Sequence, residues 1–394
     1  MADKKTMTKK QRRIRRKRRR RRILFALEIL VLLVLVGCLF VYAKLNSLDF
    51  VNIDLSNIGI SDTVKNNEVM QGYTTIGLVG VDSRDGDLET GTNSDTMIIA
   101  SINNDTKEVK LVSVYRDTYL RIGEDEEGNG IYNKANSAYA KYGPEGFMRM
   151  LNSNMDLNVT YFVTVDFQAV AEAVELLGGI DEELSEEEII HLNNYCKETS
   201  EVTGMDYEPL DEVAGVHHLN GVQTVAYARI RYTVGDDFRR AARQREVIYK
   251  IVEKAKNADV GTLTKILDKV FPSIKTNMTK ADILSMGLSM ISYDIVDQAG
   301  FPHDHVYGEN VKNAMNGLDC VVPVTLESNV IWLHQFLYPE DAYEPSENVK
   351  AYSNRIIETS GYSLEDQLSV SEDGSLAAYR EIVEGEENGD GSGE

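Results

Sequence analysis

The sequence predicts an α/β domain with a central mixed β-sheet flanked by helices, preceded by one N-terminal transmembrane helix. Short β-branched runs such as TTIGLVGVD, TMIIASIN and VKLVSVY are separated by polar, turn-like segments, which is typical of neighbouring strands in a buried sheet. Later segments such as FQAVAEAVELLGG carry apolar residues at helical spacing and end on glycine. Strands that alternate with helices indicate the α/β class. A twenty-residue apolar run precedes all of these elements.

The N-terminus combines a basic tail with an apolar span. Residues 1–22 contain fourteen Lys or Arg and one acid, and residues 23–42 are almost wholly apolar. At about 1.5 Å per residue the apolar run covers roughly 30 Å, the thickness of a bilayer's hydrocarbon core. No small-residue cleavage site follows it, and the positive-inside rule predicts a single-pass type II protein of the cell membrane with an extracellular domain. The alternative, a nucleic-acid-binding arm, is disfavoured because a basic tract beside a span fits an orientation signal that also attracts anionic lipid.

The remaining chain is divided by composition. Residues 43–72 are polar and are interpreted as a stalk, with a first structural element of the domain as the alternative. Residues 73–345 are interpreted as the extracellular catalytic domain, and 346–394 as an acidic, largely disordered tail. The acidic segment 181–212 is irregular apart from a candidate helix in SEEEIIHLNNYCKE, and 295–338 mixes short strands with a helix. Helices of the domain are also predicted at 133–141, 144–153, 221–228, 238–257, 261–270 and 280–292.

Charge restricts the partners of the domain. The formal net charge is −21, and without the basic tail residues 23–394 carry 28 bases and 62 acids, a net of −34. Such a domain does not bind nucleic acid through its overall field, so any phosphate site must be a local arginine cluster. Cys38 lies in the apolar run, and the spacing of Cys196 and Cys320 does not decide between a disulfide and two free thiols.

Two groups of charged residues lie at the ends of predicted strands. Asp82 and Asp95 belong to adjacent strands, and two carboxylates so placed could share a hard cation such as Mg²⁺. Turn and cap roles are the alternative for both aspartates. Arg116 and Asp117 close the third strand and point to the same sheet edge. Their alternative role is a surface ion pair worth under about 1 kcal/mol.

Two further patches are basic. Lys134 lies at the start of the helix predicted at 133–141, where free N–H groups favour an anion, although a solvated lysine is the simpler interpretation. The stretch AYARIRYTVGDDFRRAARQR is dense in arginine. Arg229 and Arg231 alternate in a predicted extended segment, and Arg240 and Gln244 lie one above the other on a helix for which Asp236 and Asp237 are N-cap candidates. Converging guanidinium groups suit a pyrophosphate, and a salt-bridge network is the alternative.

Taken together, the patches resemble a known family. GVDSRD, SDTMIIASIN, YRDTY, KANSAYA, LNGVQTVAYARIRY and RRAARQRE occur in the order found in the LytR–CpsA–Psr family, over about residues 74–256. The chain lacks a P-loop, a GxSxG elbow and a Cys–His nucleophile pattern. It departs from the family pattern at Thr92-Asn93, where many members have Gly-Arg. No departure removes a core site residue, so the resemblance implies an active protein.

The resemblance implies a role for each matching residue. The metal ligands for Mg²⁺ (or Mn²⁺) are Asp82 and Asp95. The pyrophosphate-binding residues are Arg116, Lys134, Arg229, Arg231, Arg240 and Gln244. The catalytic residues are Arg116, Asp117, Arg229, Arg231 and Asp95, with Asp95 or Asp117 orienting or deprotonating the acceptor.

The implied reaction is phosphotransfer at the outer face of a Gram-positive membrane. An anionic glycopolymer, teichoic acid or capsular polysaccharide, passes from a polyprenyl-pyrophosphate donor held in the membrane lipid to a hydroxyl of peptidoglycan. Three alternatives stay open from the residues alone: a polyprenyl-pyrophosphate binding or scaffold protein, a pyrophosphate hydrolase, and a transcriptional regulator. The acidic domain argues against the last, and no nucleic-acid partner is expected.

Overall fold

The structure is a computed structural model that describes residues 42, 45, 48–81, 94–231 and 236–364. Its centre is a seven-stranded sheet in the order β1–β10–β7–β2–β3–β4–β11. The pairs β1–β10, β2–β7 and β4–β11 are parallel and the other neighbours are antiparallel, so the sheet is mixed, as predicted. Its strands are β1 (Asp49–Phe50), β2 (Tyr73–Val81), β3 (Ser94–Asn103), β4 (Glu108–Val114), β7 (Val159–Asp166), β10 (Ile274–Thr276) and β11 (Asp294–Phe301).

Three small two-stranded sheets and twelve α-helices surround the central sheet in the described part of the chain. The paired short strands are β5 (Tyr119–Glu124) with β6 (Gly130–Lys134), β8 (Ile180–Leu184) with β9 (Gly215–Leu219), and β12 (His305–Val306) with β13 (Val322–Pro323). The helices are α1 (Asp62–Lys65), α2 (Glu68–Gln71), α3 (Ser137–Met155), α4 (Phe167–Leu176), α5 (Glu186–Thr203), α6 (Gly221–Arg229), α7 (Asp236–Lys256), α8 (Val260–Lys269), α9 (Lys280–Leu288), α10 (Glu309–Ala314), α11 (Leu326–Leu337) and α12 (Glu347–Ser360).

Both faces of the sheet are covered, which explains the continuous apolar runs in its strands. Along β3, Met97 and Ile99 pack into the larger core cluster, which includes side chains of α3, α11 and α12. Ile98 and Ile102 point to the opposite face, where they pack with residues of α7 and α9. This alternation of side chains gives the sheet two separate cores. The candidate site lies on the second face.

The helix predicted at 133–141 and the one predicted at 144–153 form one kinked helix, α3. Gly143 has φ 63°, a conformation that favours glycine, and Pro144 follows it. Residues 130–134 instead form β6, so Lys134 ends a strand and does not start a helix.

The stalk interpretation is wrong for the described residues from Asp49 onward. β1 pairs with β10 at the sheet edge, and Ile58, Val64 and Met70 are buried in the larger core cluster. The polar composition of this segment is compatible with packing because three of its apolar residues, Ile58, Val64 and Met70, are buried, whereas Leu55 stays exposed.

The tail boundary at 346 is also wrong, because α12 packs against the domain. Val349, Ser353 and Ile356 form its buried face, and Ser346 caps it while bonding Asp156 at the end of α3, with 2.8 Å between Ser346 Oγ and Asp156 Oδ1. Helical spacing of these residues produced one inward stripe despite the acidic composition.

Cys196 and Cys320 are free, buried thiols that belong to different core clusters. Within the part of the chain that the structure describes, no helix combines the length and apolar character needed to cross a bilayer. The run 23–41 lies outside the described residues.

We predict that Ile356→Ala lowers the free energy of unfolding by about 2–4 kcal/mol, because it leaves a cavity in the core beneath α12. Glu358→Ala, on the exposed side of the same helix, changes it by under about 1 kcal/mol. Urea denaturation of both variants measures the difference. Equal small effects would place residues 347–360 outside the cooperative fold.

Candidate active site

The site is built around Arg116, which follows β4 at one edge of the sheet. Its Nη1 donates to Asp95 Oδ1 at 2.8 Å, and its Nε donates to Asp237 Oδ2 at 3.1 Å. Asp117 Oδ2 lies 3.4 Å from the same Nε. Burial lowers the pKa of Arg116, but the carboxylates of Asp237, Asp117 and Asp95 outweigh it and the net shift is upward. Arg116 therefore joins the start of β3 to the start of α7 as a fixed cation.

Two more arginines share the same carboxylates. Arg231 Nη2 lies 3.7 Å from Asp95 Oδ1 and its Nε lies 3.9 Å from Asp237 Oδ1, so both contacts are long. Arg240 Nη2 lies 3.3 Å from Asp237 Oδ1. Three guanidinium groups thus converge on two carboxylates, which is the salt-bridge network that the sequence left open as the alternative to a pyrophosphate site.

Arg240 is the least satisfied of the three arginines. Its side chain is 5% exposed, and its Nε and Nη1 have no hydrogen-bond partner among the described residues. Burial, together with repulsion from Arg116 and Arg231, lowers its pKa to about 10, against the attraction of Asp237. Buried donors without acceptors cost free energy, so this group is suited to an anion that supplies the missing oxygens.

The alternation predicted one extended segment that contains both Arg229 and Arg231. The structure differs from this prediction. Arg229 ends α6, and the helix C-cap is Ile230. Arg229 donates to Thr199 Oγ1 and Glu198 Oε2, both at 3.0 Å, and its guanidinium lies 4.8 Å from the ring centroid of Phe167. Arg231 lies beyond this C-cap, yet both side chains line the same cavity.

Arg116, Arg231 and Arg240 together form the arginine cluster. Lys134 and Asp117 lie beside this cluster and do not line the cavity. Lys134 Nζ is 3.2 Å from Asp117 Oδ1, while the other oxygen of Asp117 faces Arg116. Asp117 therefore sits between two cations. The cluster and this pair together bring four basic side chains within reach of three aspartates.

A cavity of about 440 Å³ opens from the cluster between the sheet and α4, α6 and α7. At one end it is lined by Asp95, Arg229, Arg231, Arg240 and Gln244. Towards the other end the lining is apolar and includes Leu78, Ile98, Val163, Val247, Ile248 and Ile251. A ligand that fits this shape has an anionic head and a hydrocarbon chain.

The predicted metal pair is described only in part, since Asp82 lies outside the described residues. Asp95 presents carboxylate oxygens, the donor type that Mg²⁺ prefers, although its Oδ1 accepts from Arg116. Over residues 94–231 and 236–364, no group of three or more Asp, Glu, His or Cys side chains is placed to hold a metal ion. The described residues thus offer one ligand of the expected kind and no complete site.

Comparison with known proteins gives the family. The model of the LytR_cpsA_psr family matches residues 52–329. The chain belongs to the LytR–CpsA–Psr family. Two similar proteins are named polyisoprenyl-teichoic acid–peptidoglycan teichoic acid transferase TagU. The one from Enterococcus faecalis is 30% identical over 243 residues, which cover 59% of this chain and 73% of that protein. The one from Bacillus subtilis is 32% identical over 206 residues, and the chain spans 59% of its length while 51% of this chain is covered.

Solved structures show the same fold. Protein gbs0355 from Streptococcus agalactiae superimposes with a TM-score of 0.57 at 24% identity, over 73% of this chain and 93% of that one. TagT bound to LI-WTA superimposes with a TM-score of 0.51 at 19% identity, over 79% of this chain and all of that one. The mixed sheet flanked by helices is therefore the LytR–CpsA–Psr fold.

Two parts of this LytR–CpsA–Psr site were not predicted from the sequence. Asp237 was interpreted as an N-cap, yet it accepts from Arg116 and faces Arg231 and Arg240. Arg243 is buried and its Nη2 lies 2.8 Å from Glu188 Oε1, while its Nη1 donates to the carbonyl of Ile230 at 3.2 Å. The i, i+3 spacing of Asp237 and Arg240 was the available signal for the first. Nothing in the sequence separates Arg243 from Arg240.

These two buried arginines of α7 should behave in opposite ways when replaced by methionine. Arg240→Met should change the free energy of unfolding by under about 1 kcal/mol, because the lost Asp237 pair is offset by removal of two unsatisfied donors. Arg243→Met should lower it by about 3–5 kcal/mol, because Glu188 is left without its buried partner. Urea denaturation tests both. Equal destabilisation by the two changes would contradict the distinction, and Arg149→Met, on the surface, serves as the control.

Proposed function

We propose that the chain is a glycopolymer–peptidoglycan phosphotransferase. It moves an anionic glycopolymer, teichoic acid or capsular polysaccharide, from a polyprenyl-pyrophosphate donor to peptidoglycan of a Gram-positive cell wall. The observation that carries this proposal is the arginine cluster at the mouth of an apolar cavity. The names of the TagU relatives as teichoic acid transferases support the same reaction class.

The donor's pyrophosphate is bound by the arginine cluster. Within the described ranges, two buried donors of Arg240 lack acceptors, and the ion pairs of Arg231 are long contacts of 3.7 and 3.9 Å. Phosphate oxygens accept hydrogen bonds from the unpaired donors of Arg240 and replace only the long contacts of Arg231. Binding therefore breaks few existing contacts. Arg229 and Gln244 also belong to the polar lining of the cavity. Arg116 and Lys134 are outside this lining.

The donor's hydrocarbon chain occupies the apolar part of the cavity. A polyprenyl chain is longer than a cavity of this size, so its remainder stays in the membrane. A protein that draws its substrate from a bilayer is served by an anchor, which is the role proposed for the apolar run 23–42. The protein is accordingly placed in the cell membrane with its domain outside.

Transfer follows from the position of charges around the bound phosphates. A sugar hydroxyl of peptidoglycan attacks the phosphorus next to the glycopolymer, the bond to the bridging oxygen breaks, and polyprenyl phosphate leaves. Arg231 and Arg240 stabilise the charge that develops on the phosphoryl oxygens and on the leaving phosphate. In this proposal, Asp95 or Asp117 orients the acceptor hydroxyl or takes its proton.

A divalent cation, Mg²⁺ or Mn²⁺, completes the proposed site. Asp95, together with Asp82, would hold it through oxygen ligands. When bound it supplies positive charge that neutralises the phosphates. The short contact between Asp95 and Arg116 keeps this carboxylate oriented at the cavity mouth.

Arg231→Ala is predicted to lower kcat for transfer from a synthetic polyprenyl-pyrophosphate donor by about 10²–10³-fold, since it removes a donor to the transition-state phosphate. Arg149→Ala, a surface arginine paired with Glu145, should leave the rate unchanged. Chromatography of the products distinguishes glycopolymer joined to a peptidoglycan fragment from glycopolymer released to water.

Two results would contradict the proposal. Release of free glycopolymer in the presence of acceptor would identify a hydrolase, and tight donor binding without any product would identify a binding protein.

Metal dependence follows from the Asp95 site. Transfer should stop after treatment with a chelator and return when Mg²⁺ is added, because the phosphate charge is otherwise left without part of its compensation. Asp95→Asn should weaken the response to Mg²⁺, while Asp125→Asn, on an exposed turn, should not. Full transfer by chelated protein would exclude the metal from the reaction.

A further inference from the structure

Apolar side chains are exposed on α8, on α9 and in the turn that follows α9. Val260 at the start of α8 is 80% exposed, Leu288 at the end of α9 is 73% exposed, and Ile291 in the following turn is 78% exposed. Neither α8 nor α9 has a buried residue. Exposed apolar side chains mark a binding surface when they lie together at one place on the domain.

These three residues lie at the end of the domain opposite the arginine cluster. Helix α7 carries Arg240 near its start and runs about 24 Å further to Lys256, directly before Val260. Strand β11 is parallel to β4, whose last residues lead into Arg116, so the start of β11 is at the far end. Ile291 immediately precedes that start. The topology therefore places Val260 and Ile291 at one common end.

The segment 254–280, which leaves this end along α8 and returns to it at Lys280, is more basic than the rest of the domain. Residues 254–280 carry six lysines and two aspartates, a net of +4, whereas residues 23–394 have a net of −34. Lys265 and Lys269 are exposed on α8. Exposed apolar residues among lysines are the composition of a surface that lies on anionic lipid.

The chain that precedes the described domain joins it near this end. Strand β10 is antiparallel to β7, whose last residue lines the cavity, so β10 leads away from the cluster and towards Lys280. Lys280 Nζ lies 5.2 Å from the ring centroid of Tyr42 and 5.7 Å from that of Phe50. Tyr42 is the last residue of the apolar run 23–42. Tyrosine and lysine together are typical of the boundary between lipid and water.

An apolar path connects the cavity to the same end. Ile248 of α7 lines the cavity and also packs in the cluster that contains Ile283 and Met286 of α9. A hydrocarbon chain that starts at the arginine cluster and follows α7 is thus directed towards α8 and α9.

We propose that Val260, Leu288 and Ile291, with Lys265 and Lys269, form a membrane-docking face that binds the surface of an anionic phospholipid bilayer. The apolar residues enter the boundary of the acyl chains and the lysines contact lipid phosphates. The proposal rests on the proposed function, since it supplies the route by which a lipid donor reaches the cavity without crossing water. It differs from the anchor in that the folded domain itself contacts the bilayer.

Depth-dependent fluorescence quenching tests the contact directly. The full-length chain has one tryptophan, Trp332, which is replaced by phenylalanine, and Ile291→Trp is then introduced. In nanodiscs of phosphatidylglycerol with brominated acyl chains, emission should fall by about two-fold or more, because the indole lies among the acyl chains. The control is Tyr307→Trp on the same background, whose ring neighbours Phe238 at the cluster end. Equal quenching at the two positions would overturn the proposal.

Transfer assays separate this proposal from the reaction itself. Lys265→Glu with Lys269→Glu should lower transfer from a long-chain donor in phosphatidylglycerol vesicles by about tenfold and leave transfer from a water-soluble short-chain donor unchanged. An equal loss with both donors would contradict the docking face. An unmodified chain that transfers from neither donor would refute the proposed function, and the quenching result would still decide the docking face.

Discussion

The arrangement of the site depends on the bridge that Arg116 makes between Asp95 and Asp237. Asp95 belongs to β3, Arg116 follows β4, and Asp237 begins α7, so one guanidinium fixes the sheet edge against the helix that carries the other site residues. A half-buried cation between two carboxylates is stable only when each partner is present, since an unpaired charge in this position is costly. The geometry of Arg231 and Arg240 follows from this bridge, because both face the same two carboxylates.

Around the bridge, positively charged side chains outnumber carboxylates by one. The cations Arg116, Arg231, Arg240 and Lys134 face three aspartates at contact distances of 2.8–3.9 Å. This surplus of positive charge lies at the cavity mouth within a strongly acidic domain. An approaching anion is therefore repelled by most of the surface and attracted at the cavity mouth and at the lysines of α8. Such a field favours a ligand delivered along a defined route over one that arrives from solution.

The sequence predicted the sheet well because its strands are buried on both faces and leave continuous apolar runs. It also predicted the residues of the cluster, because ordered motifs of one family identify them. It could not show that Arg243 has a buried ion-pair partner whereas Arg240 has unsatisfied donors. The difference depends on Glu188, which is 55 residues away from Arg243 in the sequence. The packed helix α12 was missed because its buried face contains Ser353 as well as Val349, so composition alone indicated a solvated segment.

The order of strands in the sheet has a consequence for how the chain folds. Strands β7, β2, β3 and β4 form the middle of the sheet and are complete by residue 166, but β10 and β11, which cover its two sides, come from residues 274–301. A chain that emerges N-terminus first therefore leaves unpaired backbone on both sides of the nascent sheet until more than a hundred further residues have followed. Premature termination before β11 would yield a product with unpaired strand edges, so truncations before residue 294 should be more prone to aggregate than those beyond α12.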